Sequence, residues 1–390
     1  MLGGVVTAAW RGSHADLIED VEALAGIEDE WKHLAEIRGN AFVTPEWFTT
    51  WLSHHGDRAD PAVVVARRDD GSLLGVMPFV RSHGERPRRI RFAGASLGDH
   101  FHPAAAAIDE RAVAQATARA LPPNRGYNAL VLDNVDTGTA WSQELTEQSE
   151  RRLVTRTVKG SVLPYTDLPR SWEAFLETRS SNFRRDLRRR LRRLESSHTV
   201  GIRRTATDAE LSTDLETVFR LHDLRWAERG GSSTSGPRTR AFLSAFAARA
   251  LERGWLRLWT LTLDREPAAA YLQWRLGSRV AGYLTGFDPK FEREGVGFAL
   301  TAHTIQAAIE EGADQFDMLL GDARWKARFS TGQREVSTLV VVPARHPVRL
   351  VVTAEVAMRR VVDGIPPAGQ AVARSLASPI RRFLPTARRR

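Results

Sequence analysis

The amino-acid sequence predicts an α/β protein with mixed sheets, in which one order of elements occurs twice before a basic C-terminal tail. Two observations support this fold class. In each half, short turns join three apolar stretches, the pattern of an antiparallel meander. In each half, a loop with glycine, a helical stretch and a further strand then follow, which together make a parallel crossover. The predicted domains are residues 1–165 and 166–343, and the tail is 344–390.

Each half supplies its elements in the same order. The strands predicted for the first half are 61–66, 73–80, 89–93 and 127–133, with a helix at 109–120 before the last one. Those predicted for the second half are 255–263, 268–276, 279–287 and 315–320, with a helix at 298–311 before the last one. Turn residues such as Gly277-Ser278 separate neighbouring strands, and Gly312 occupies the place of a C-terminal helix cap. The repeat is one of architecture, without visible similarity of sequence.

Helices are predicted between the two sets of strands. They are a short helix from Ser171 to Arg179, an arginine-rich helix over 180–196, an amphipathic helix over 208–229, and a helix that starts near Pro237. The arginine-rich helix has Phe183, Leu187, Leu191 and Leu194 on one face. Its arginines have two interpretations. They contact the phosphates of coenzyme A, a nucleotide-linked acceptor or tRNA, or they form a solvated surface.

Composition and charge exclude several classes of functional site. The chain of 390 residues has no cysteine, which excludes disulfides, thiolate metal sites and a cysteine nucleophile. The net charge is +9, but residues 345–390 hold ten arginines against two acidic residues, so the body is almost neutral. No apolar run approaches the ~18 residues of a membrane span and no secretory signal is visible, so we expect a cytoplasmic protein. The tail either rests on an anionic membrane at its inner face or is a solvated extension.

The sequence Gly295-Val296-Gly297 precedes the predicted helix at 298–311. Glycines at this point let backbone N–H groups face one space, where the helix dipole favours a phosphate. An ordinary tight turn has the same composition. The surrounding strand, helix and parallel strand support the phosphate site as much as the ordinary turn, so both interpretations stay open.

Two further motifs lie after the strand at 89–93. Gly94 to Gly98 match the pattern GxSxG, but no helix follows at once, so Ser96 is not expected to be a nucleophile. Asp99, His100 and His102 follow in the loop Gly-Asp-His-Phe-His-Pro and are candidates for binding an acceptor or for acid–base work. His-x-His without a third ligand does not predict a metal site.

The order of elements and the glycine turn resemble the GNAT acyltransferase fold, in which this turn holds the pyrophosphate of coenzyme A. Further stretches resemble the CelD-like (BioF2-like) branch of tandem GNAT proteins. These are Phe42 to Trp47 with Trp51, Gly98-Asp99, Ser181 with the arginine-rich helix, Leu221 to Trp226, Gly286 to Pro289, and Phe316-Asp317 through Gly321 to Trp325-Lys326. The usual pattern begins the glycine turn with Arg or Gln, whereas this chain has Glu292.

The resemblance implies two GNAT-like domains in tandem and an N-acyltransferase. An amine of a small molecule, a sugar or a cell-envelope precursor would attack the thioester of acetyl-CoA or another acyl-CoA directly. This branch is similar in layout to the Fem-type aminoacyltransferases, so an aminoacyl-tRNA donor is an alternative. A non-catalytic GNAT-like partner in polysaccharide biosynthesis is a second alternative, because fold alone does not fix function.

The resemblance also implies site residues. The catalytic candidates are Asp288, Tyr283, Asp317 and Lys326, with Asp322 close by. The candidates for binding acyl-CoA are Thr285, Phe287, Gly295, Val296, Gly297 and Phe298. The candidates for binding the acceptor are Asp99, His100, His222 and Trp226. The partners expected are therefore a small amine, with tRNA and an anionic membrane surface as further candidates.

Overall fold

A computed structural model describes residues 13–83, 88–121, 129–150, 153–227, 234, 236–320 and 324–343. The described residues form two compact units. The first unit takes its described residues from Met1–Arg38, Phe42–Ser161 and Glu335–Arg388, and the second from Gly39–Ala41 and Val162–Arg334. The predicted tail at 344–390 lies outside the described residues, as do Gly321 and Asp322.

The first unit contains short strands and four helices. Its strands are β1 (Ser13–Ile18), β2 (Ala59–Pro61), β3 (Val63–Arg68), β4 (Leu73–Met77), β5 (Phe79–Ser82), β6 (Arg89–Phe92), β7 (Ala104–Ala105) and β8 (Ala129–Val135). Its helices are α1 (Glu28–Arg38), α2 (Pro45–His55), α3 (Glu110–Ala120) and α4 (Ala140–Glu150). Strand β9 (Leu153–Asp167) carries the chain into the second unit.

The second unit contains longer elements. Its helices are α5 (Trp172–Glu177), α6 (Ser181–Ser197), α7 (Asp208–Ala227), α8 (Pro237–Glu252), α9 (Val296–Glu310) and α10 (Arg324–Phe329). Its strands are β10 (Val200–Arg204), β11 (Leu256–Leu263), β12 (Glu266–Leu276), β13 (Arg279–Phe287) and β14 (Gln315–Asp317). Strand β15 (Gly332–Pro343) returns the chain to the first unit.

The sheets of the first unit confirm the predicted meander, with each of its first two strands divided. One sheet has the strand order β1-β3-β4-β7, and the neighbouring strands of the other follow the order β15-β8-β6-β5-β2. The predicted strand 73–80 is divided at Pro78, which has no N–H for a ladder bond. Ala62 divides the strand before it and donates its N–H to the carbonyl of Phe79 at 3.0 Å. Strands β6 and β8 are parallel, as the crossover through α3 predicts.

The sheet of the second unit runs β10-β11-β12-β13-β14, with the end of β9 beside β14. The pairs from β10 to β13 are antiparallel, and β13 pairs with β14 in parallel. The sequence therefore predicts the order from β11 to β14 correctly, whereas β10 and the end of β9 are additions that it does not predict. The predicted strand 315–320 is shorter in the structure, because Leu319 has a φ of +55° and turns the chain away after Asp317.

Helices α6 and α9 cover one face of the second sheet. Ser180 caps α6 by accepting the N–H of Phe183 at 3.2 Å, and Phe183, Leu187 and Leu194 on the predicted face are buried. The ring of Phe183 lies 5.6 Å from that of Phe298 on α9. This packing fixes where the first turn of α9 lies. Among the helices in the described part of the chain, none combines the length and apolar character needed to cross a bilayer.

Candidate functional site

Strands β13 and β14 separate after a short parallel contact. Arg279 to Ala281 pair with Gln315 to Asp317, and beyond Ala281 strand β13 continues to Phe287 without β14 beside it. Met318 instead donates its N–H to Pro164 at 2.9 Å. One edge of β13 is consequently open from Gly282 onwards.

Lys326 stabilises the chain where it leaves β14. Its ammonium donates to the carbonyls of Met318, Leu319 and Leu320 at 2.7, 3.2 and 2.6 Å. Leu319 has the left-handed backbone that disfavours a branched residue. A cation on three carbonyl oxygens offsets part of that cost and holds the two strands apart.

The open edge of β13 presents the backbone of Thr285. Asp288 donates its N–H to Ala268 on β12 at 2.9 Å, so Gly286, two residues earlier, also faces β12. Thr285 lies between them and points its N–H and C=O to the other side, because both groups of one residue point the same way in an antiparallel ladder. The Thr285 carbonyl accepts from the Nδ1 of His222 at 3.0 Å and from Arg225 at 3.4 Å.

His222 is held in one tautomer. A carbonyl only accepts, so Nδ1 carries the proton, and Nε2 then accepts from the hydroxyl of Thr234 at 2.9 Å. The side chain is buried on α7, and the ring of Trp226 lies 6.0 Å away. His222 thus fixes the backbone of β13 at its open edge. His222 and Trp226, two of the candidates for binding the acceptor, lie close to each other.

The glycine turn has the geometry of an anion site. Gly295 has a φ of +73° and is the N-cap of α9. Its carbonyl accepts the N–H groups of Phe298 and Ala299, each at 3.0 Å. Within the described part of the chain, no group accepts the N–H of Val296 or of Gly297. Two donors at a helix N-terminus therefore face the space outside the turn.

A cavity of about 260 Å³ adjoins this turn. It is lined by Arg190, Arg225, Thr285, Phe287, Glu292, Gly295, Val296, Gly297, Phe298, Thr301, Trp325 and Arg328. All six residues predicted to bind acyl-CoA are among them. Three arginines against one glutamate make the lining positive, as an anionic ligand requires. Complete small-molecule sites usually enclose about 300–1,000 Å³, so this cavity fits one segment of a nucleotide-linked donor.

Asp186 connects two of these arginines, although it does not line the cavity. Its Oδ2 accepts from Arg190 at 3.1 Å and from Arg328 at 2.8 Å. Burial works to raise the pKa of Asp186, but the hydrogen bonds and charges of Arg328 and Arg190 outweigh it and lower the pKa to about 2. The carboxylate is therefore ionised throughout the neutral range.

Tyr271 is a residue that the sequence analysis missed. It lies on β12 with 1% of its surface exposed, and a methyl group at Gly282 would come within 2.0 Å of its hydroxyl oxygen. Within the described residues, its hydroxyl makes no hydrogen bond. Burial raises the pKa of Tyr271 far above neutrality, with the charge of Arg225 opposing this and that of Asp317 adding to it. Tyr271 pairs with Thr285 and Gly282 pairs with Gln273, so the tyrosine ring reaches the glycine diagonally, and the sequence carries no signal for that contact.

The four predicted catalytic residues lie at different places around the opening. Asp317 ends β14, where its oxygens accept from Leu319 N–H at 2.9 Å and Arg334 at 3.0 Å. Burial raises the pKa of Asp317, with Arg334 opposing that effect. Asp288 accepts the N–H of Lys290 at 3.0 Å in the turn before Gly295. Tyr283 is the extra residue of a β-bulge, with its ring 5.8 Å from Trp274.

The predicted loop of the first unit is well packed. Asp99 and His102 are buried, and the Nδ1 of His102 lies 2.8 Å from the carbonyl of Pro103. The ring of His100 lies 5.3 Å from that of His102. Residues 94–97 form turns without a following helix, as expected for a chance GxSxG match. Within the described residues, no three His, Asp or Glu side chains are placed to bind a metal ion.

Some arginines of the arginine-rich helix line the cavity, as the phosphate-contact interpretation requires, and others form a solvated surface. Arg190 lines the cavity, whereas Arg184 donates to the carbonyls of Leu176 and Arg179 at 3.2 and 3.1 Å and so holds the end of α5. The others are exposed to solvent on one face, namely Arg185, Arg188, Arg189, Arg192 and Arg193.

Comparison with known proteins identifies the domain. Residues 181–327 match the model of the family described as "Acetyltransferase (GNAT) domain". No curated protein matches the sequence. Among solved structures, FemX superposes with a TM-score of 0.62 at 11% identity, covering 83% of this chain and 98% of FemX.

Two further structures have similar folds. A conserved protein of unknown function from Bacteroides thetaiotaomicron has a TM-score of 0.55 at 10% identity, covering 84% of this chain and 99% of its own. L-PGS from Bacillus licheniformis has a TM-score of 0.51 at 13% identity, covering 84% and 96%. At such identities the similarity concerns the fold. Residues 181–327 of this chain are therefore similar to the GNAT acetyltransferase domain, and the fold of the chain is similar to that of FemX.

Proposed function

We propose that the protein is an acyl-CoA-dependent N-acyltransferase that acts on an amino group of a small molecule, a sugar or a cell-envelope precursor. The observation that carries the proposal is the position of the cavity. The unpartnered N–H groups of Val296 and Gly297 and three arginines lie in it, beside the open edge of β13. A diphosphate at the turn would direct the rest of the donor along that edge.

Acyl-CoA supplies the acyl group as a thioester, whose C–S bond breaks as the bond from the amine nitrogen to the carbonyl carbon forms. The protein has to hold that carbonyl and take up the amine proton. The N–H of Thr285 points to the open edge and is the donor that we assign to the carbonyl oxygen. His222 and Arg225 fix its direction through the carbonyl of the same residue.

We propose that Asp317 is the base that takes up the amine proton. Burial raises the pKa of its carboxyl group towards the range in which a carboxylate is an effective base. Lys326 positions the loop after Asp317, and Asp288 positions the turn before Gly295. Tyr283 keeps the bulge of β13 in place. His222 and Trp226 in the second unit, and Asp99 and His100 in the first, remain our candidates for binding the acceptor.

The test is titration calorimetry with acetyl-CoA and with acetyl-pantetheine, which lacks the nucleotide and its phosphates. We expect acetyl-CoA to bind and acetyl-pantetheine to bind at least tenfold more weakly, because the turn and the arginines contact phosphate. A panel of amines, amino sugars and polysaccharide precursors then identifies the acceptor by release of free CoA. Absence of heat with acetyl-CoA and longer acyl-CoAs would leave two alternatives, an aminoacyl-tRNA donor and a non-catalytic protein.

An aminoacyl-tRNA donor is the second candidate. It is favoured by the exposed arginines of α6, which give one helix face a positive charge close to the cavity. If tRNA is the donor, we expect RNA to co-purify with the protein at low salt and to dissociate from it at high salt. Transfer of a labelled amino acid from charged tRNA, without transfer from acetyl-CoA, would select this donor.

A further inference from the structure

The side of α6 that faces solvent carries a row of arginines, which we call the arginine row. Its members are all exposed and are Arg185, Arg188, Arg189, Arg192 and Arg193. Their spacing of three and four residues places them on one side of the helix, opposite to the buried Phe183, Leu187 and Leu194. At 1.5 Å per residue, the row is about 12 Å long. The core thus fills the apolar face of α6, and the cationic face is open to solvent.

Little negative charge opposes the arginine row. In the described part of the chain, Arg189 is the one member that makes an ion pair, with Asp186. Arg185 and Arg192 donate instead to neutral oxygens within α6. The whole helix holds seven arginines, against which it has only Asp186 and Glu195. Exposed charge of one sign, left without compensation, attracts an extended surface of the opposite sign.

The arginine row lies beside the cavity at the glycine turn. Arg189 belongs to the row, and Arg190 lines the cavity. Both side chains donate to the carboxylate of Asp186, one to each oxygen. A surface that contacts the row therefore comes close to the mouth of the cavity.

Two features of the arginine row favour a lipid surface over RNA as its partner. Single-stranded RNA is bound by stacking its bases on aromatic side chains, but the exposed residues of α6 are arginine, serine, asparagine and glutamate. Domains that bind double-stranded RNA by its shape contact about 16 base pairs, a length several times that of the row. An anionic bilayer instead presents closely spaced headgroups, and each arginine near them raises the affinity by a factor of about five.

We infer that α6 is a docking surface for an anionic phospholipid bilayer, which it contacts through the arginine row. The contact is electrostatic and does not insert the helix, because Phe183, Leu187 and Leu194 are already packed in the core. Docking holds the mouth of the cavity next to the lipid headgroups. The row binds lipid whether or not the cavity binds acyl-CoA, so docking is independent of the proposed function.

The experiment measures co-sedimentation of the full chain with two kinds of vesicle. One kind is phosphatidylcholine alone, and the other is equal parts of phosphatidylcholine and phosphatidylserine. The test variant is Arg188→Gln/Arg193→Gln. The control is Arg220→Gln/Arg249→Gln, which removes the same charge from exposed residues of α7 and α8. The tail is identical in all these proteins, so it cannot cause a difference between them.

The control residues lie away from the arginine row. Gly286 and Phe287 are neighbours on β13 and so point to opposite faces of the sheet. A methyl group at Gly286 would meet the backbone of α7, whereas the ring of Phe287 lies 3.6 Å from a methyl group at Gly297 on α9. Because α6 packs on α9, helix α7 covers the face of the sheet away from the row, and α8 packs against α7.

We expect the wild type to bind the vesicles with phosphatidylserine and not those of phosphatidylcholine, and to bind more weakly as salt is raised. The test variant should bind about 25-fold more weakly, by a factor of about five for each arginine. The control should bind within about twofold of the wild type. Arg188→Lys/Arg193→Lys keeps the charge, and it should bind as the wild type does because a lipid surface does not require the planar guanidinium.

The docking surface is refuted if the wild type and the folded test variant bind the anionic vesicles equally, or if the wild type binds neither kind. Equal losses in the test variant and the control would attribute binding to net charge and also refute it. Unacylated tRNA is measured with the same proteins, and loss of tRNA binding with unchanged vesicle binding would assign the row to RNA instead. Melting temperatures show whether the test variant folds. If it does not, the single variants Arg188→Gln and Arg193→Gln decide, with a loss of about fivefold expected for each.

Discussion

The backbone of His222 lies so close to Gly286 that a methyl group at residue 286 would come within 2.2 Å of the His222 nitrogen. This contact joins α7 to β13 next to Thr285, whose carbonyl accepts from His222. The glycine is therefore required by helix packing rather than by backbone conformation. It brings α7 close enough for His222 and Arg225 to reach the open edge of the strand.

We predict that Gly286→Ala lowers the free energy of unfolding by about 1–3 kcal/mol, because the backbone of α7 has to move away from β13. Chemical denaturation measures this change. Gly56→Ala is the control, since nothing lies within 4 Å of a methyl group there. An unchanged denaturation midpoint for Gly286→Ala would mean that α7 packs on β13 less closely than described.

We predict that His222→Asn and His222→Leu differ in their effect at Thr285. The asparagine amide can still donate to the carbonyl near the position of Nδ1, whereas leucine cannot. The ¹³C chemical shift of the Thr285 carbonyl should therefore stay near its wild-type value in His222→Asn and change in His222→Leu. Equal shifts in the two variants would show that the hydrogen bond is absent in solution.

We predict that Lys326→Met destabilises the loop after β14. Three carbonyls lose their shared partner, and the free energy of unfolding should fall by about 2 kcal/mol. Hydrogen exchange of residues 318–320 should accelerate. Lys290→Met is the comparison, because Lys290 makes an exposed ion pair with Glu266 and should change stability by less than about 0.5 kcal/mol.

The arginine-rich helix shows what sequence could and could not provide. Its apolar face was predictable, because Phe183 and Leu187 recur at helical spacing and are buried. The separate roles of Arg184 and Arg190 were not. Those roles depend on which neighbour lies opposite, the end of α5 or the turn at Gly295, and that neighbour is distant in sequence.

Some features of the candidate site were likewise predictable from the sequence, and others were not. The glycine turn and the order of strands were predictable from local composition. The short pairing of β13 with β14 was not, because it depends on a left-handed residue at Leu319, where sequence gives no glycine. Strand β15 pairs Val340 with Val131 across more than 200 positions, and no local pattern identifies such a partner.

We predict that Arg184→Ala and Arg188→Ala separate these roles. Arg184 supports carbonyls at the end of α5, so its removal should cost about 1–2 kcal/mol of unfolding free energy. Arg188 is exposed, and its removal should cost less than about 0.5 kcal/mol. Thermal or chemical denaturation compares the two. Equal losses would contradict the assignment of Arg184 to α5.

Asp186 and Asp317 should change stability with pH in opposite directions. The pKa of Asp186 is lowered from 3.8 to about 2, so its contribution is fully present above about pH 4 and is lost as the pH falls towards 2. The pKa of Asp317 is raised by burial, so its contribution is greatest below the unfolded value of 3.8 and is lost as the pH rises through the folded pKa.

Asparagine is a neutral substitute for both carboxyl groups, so each variant should resemble wild type most closely at low pH. Asp186→Asn should lose about 1–2 kcal/mol at pH 6, after allowance for solvent screening of its partly exposed ion pairs, and progressively less below pH 4. Asp317→Asn should instead gain stability relative to wild type as the pH rises. Urea unfolding at pH values from 3 to 7 measures both differences. If Asp317→Asn, like Asp186→Asn, lost stability relative to wild type as the pH rises, burial would not dominate the pKa of Asp317. Its assignment as the base would then lack its physical reason.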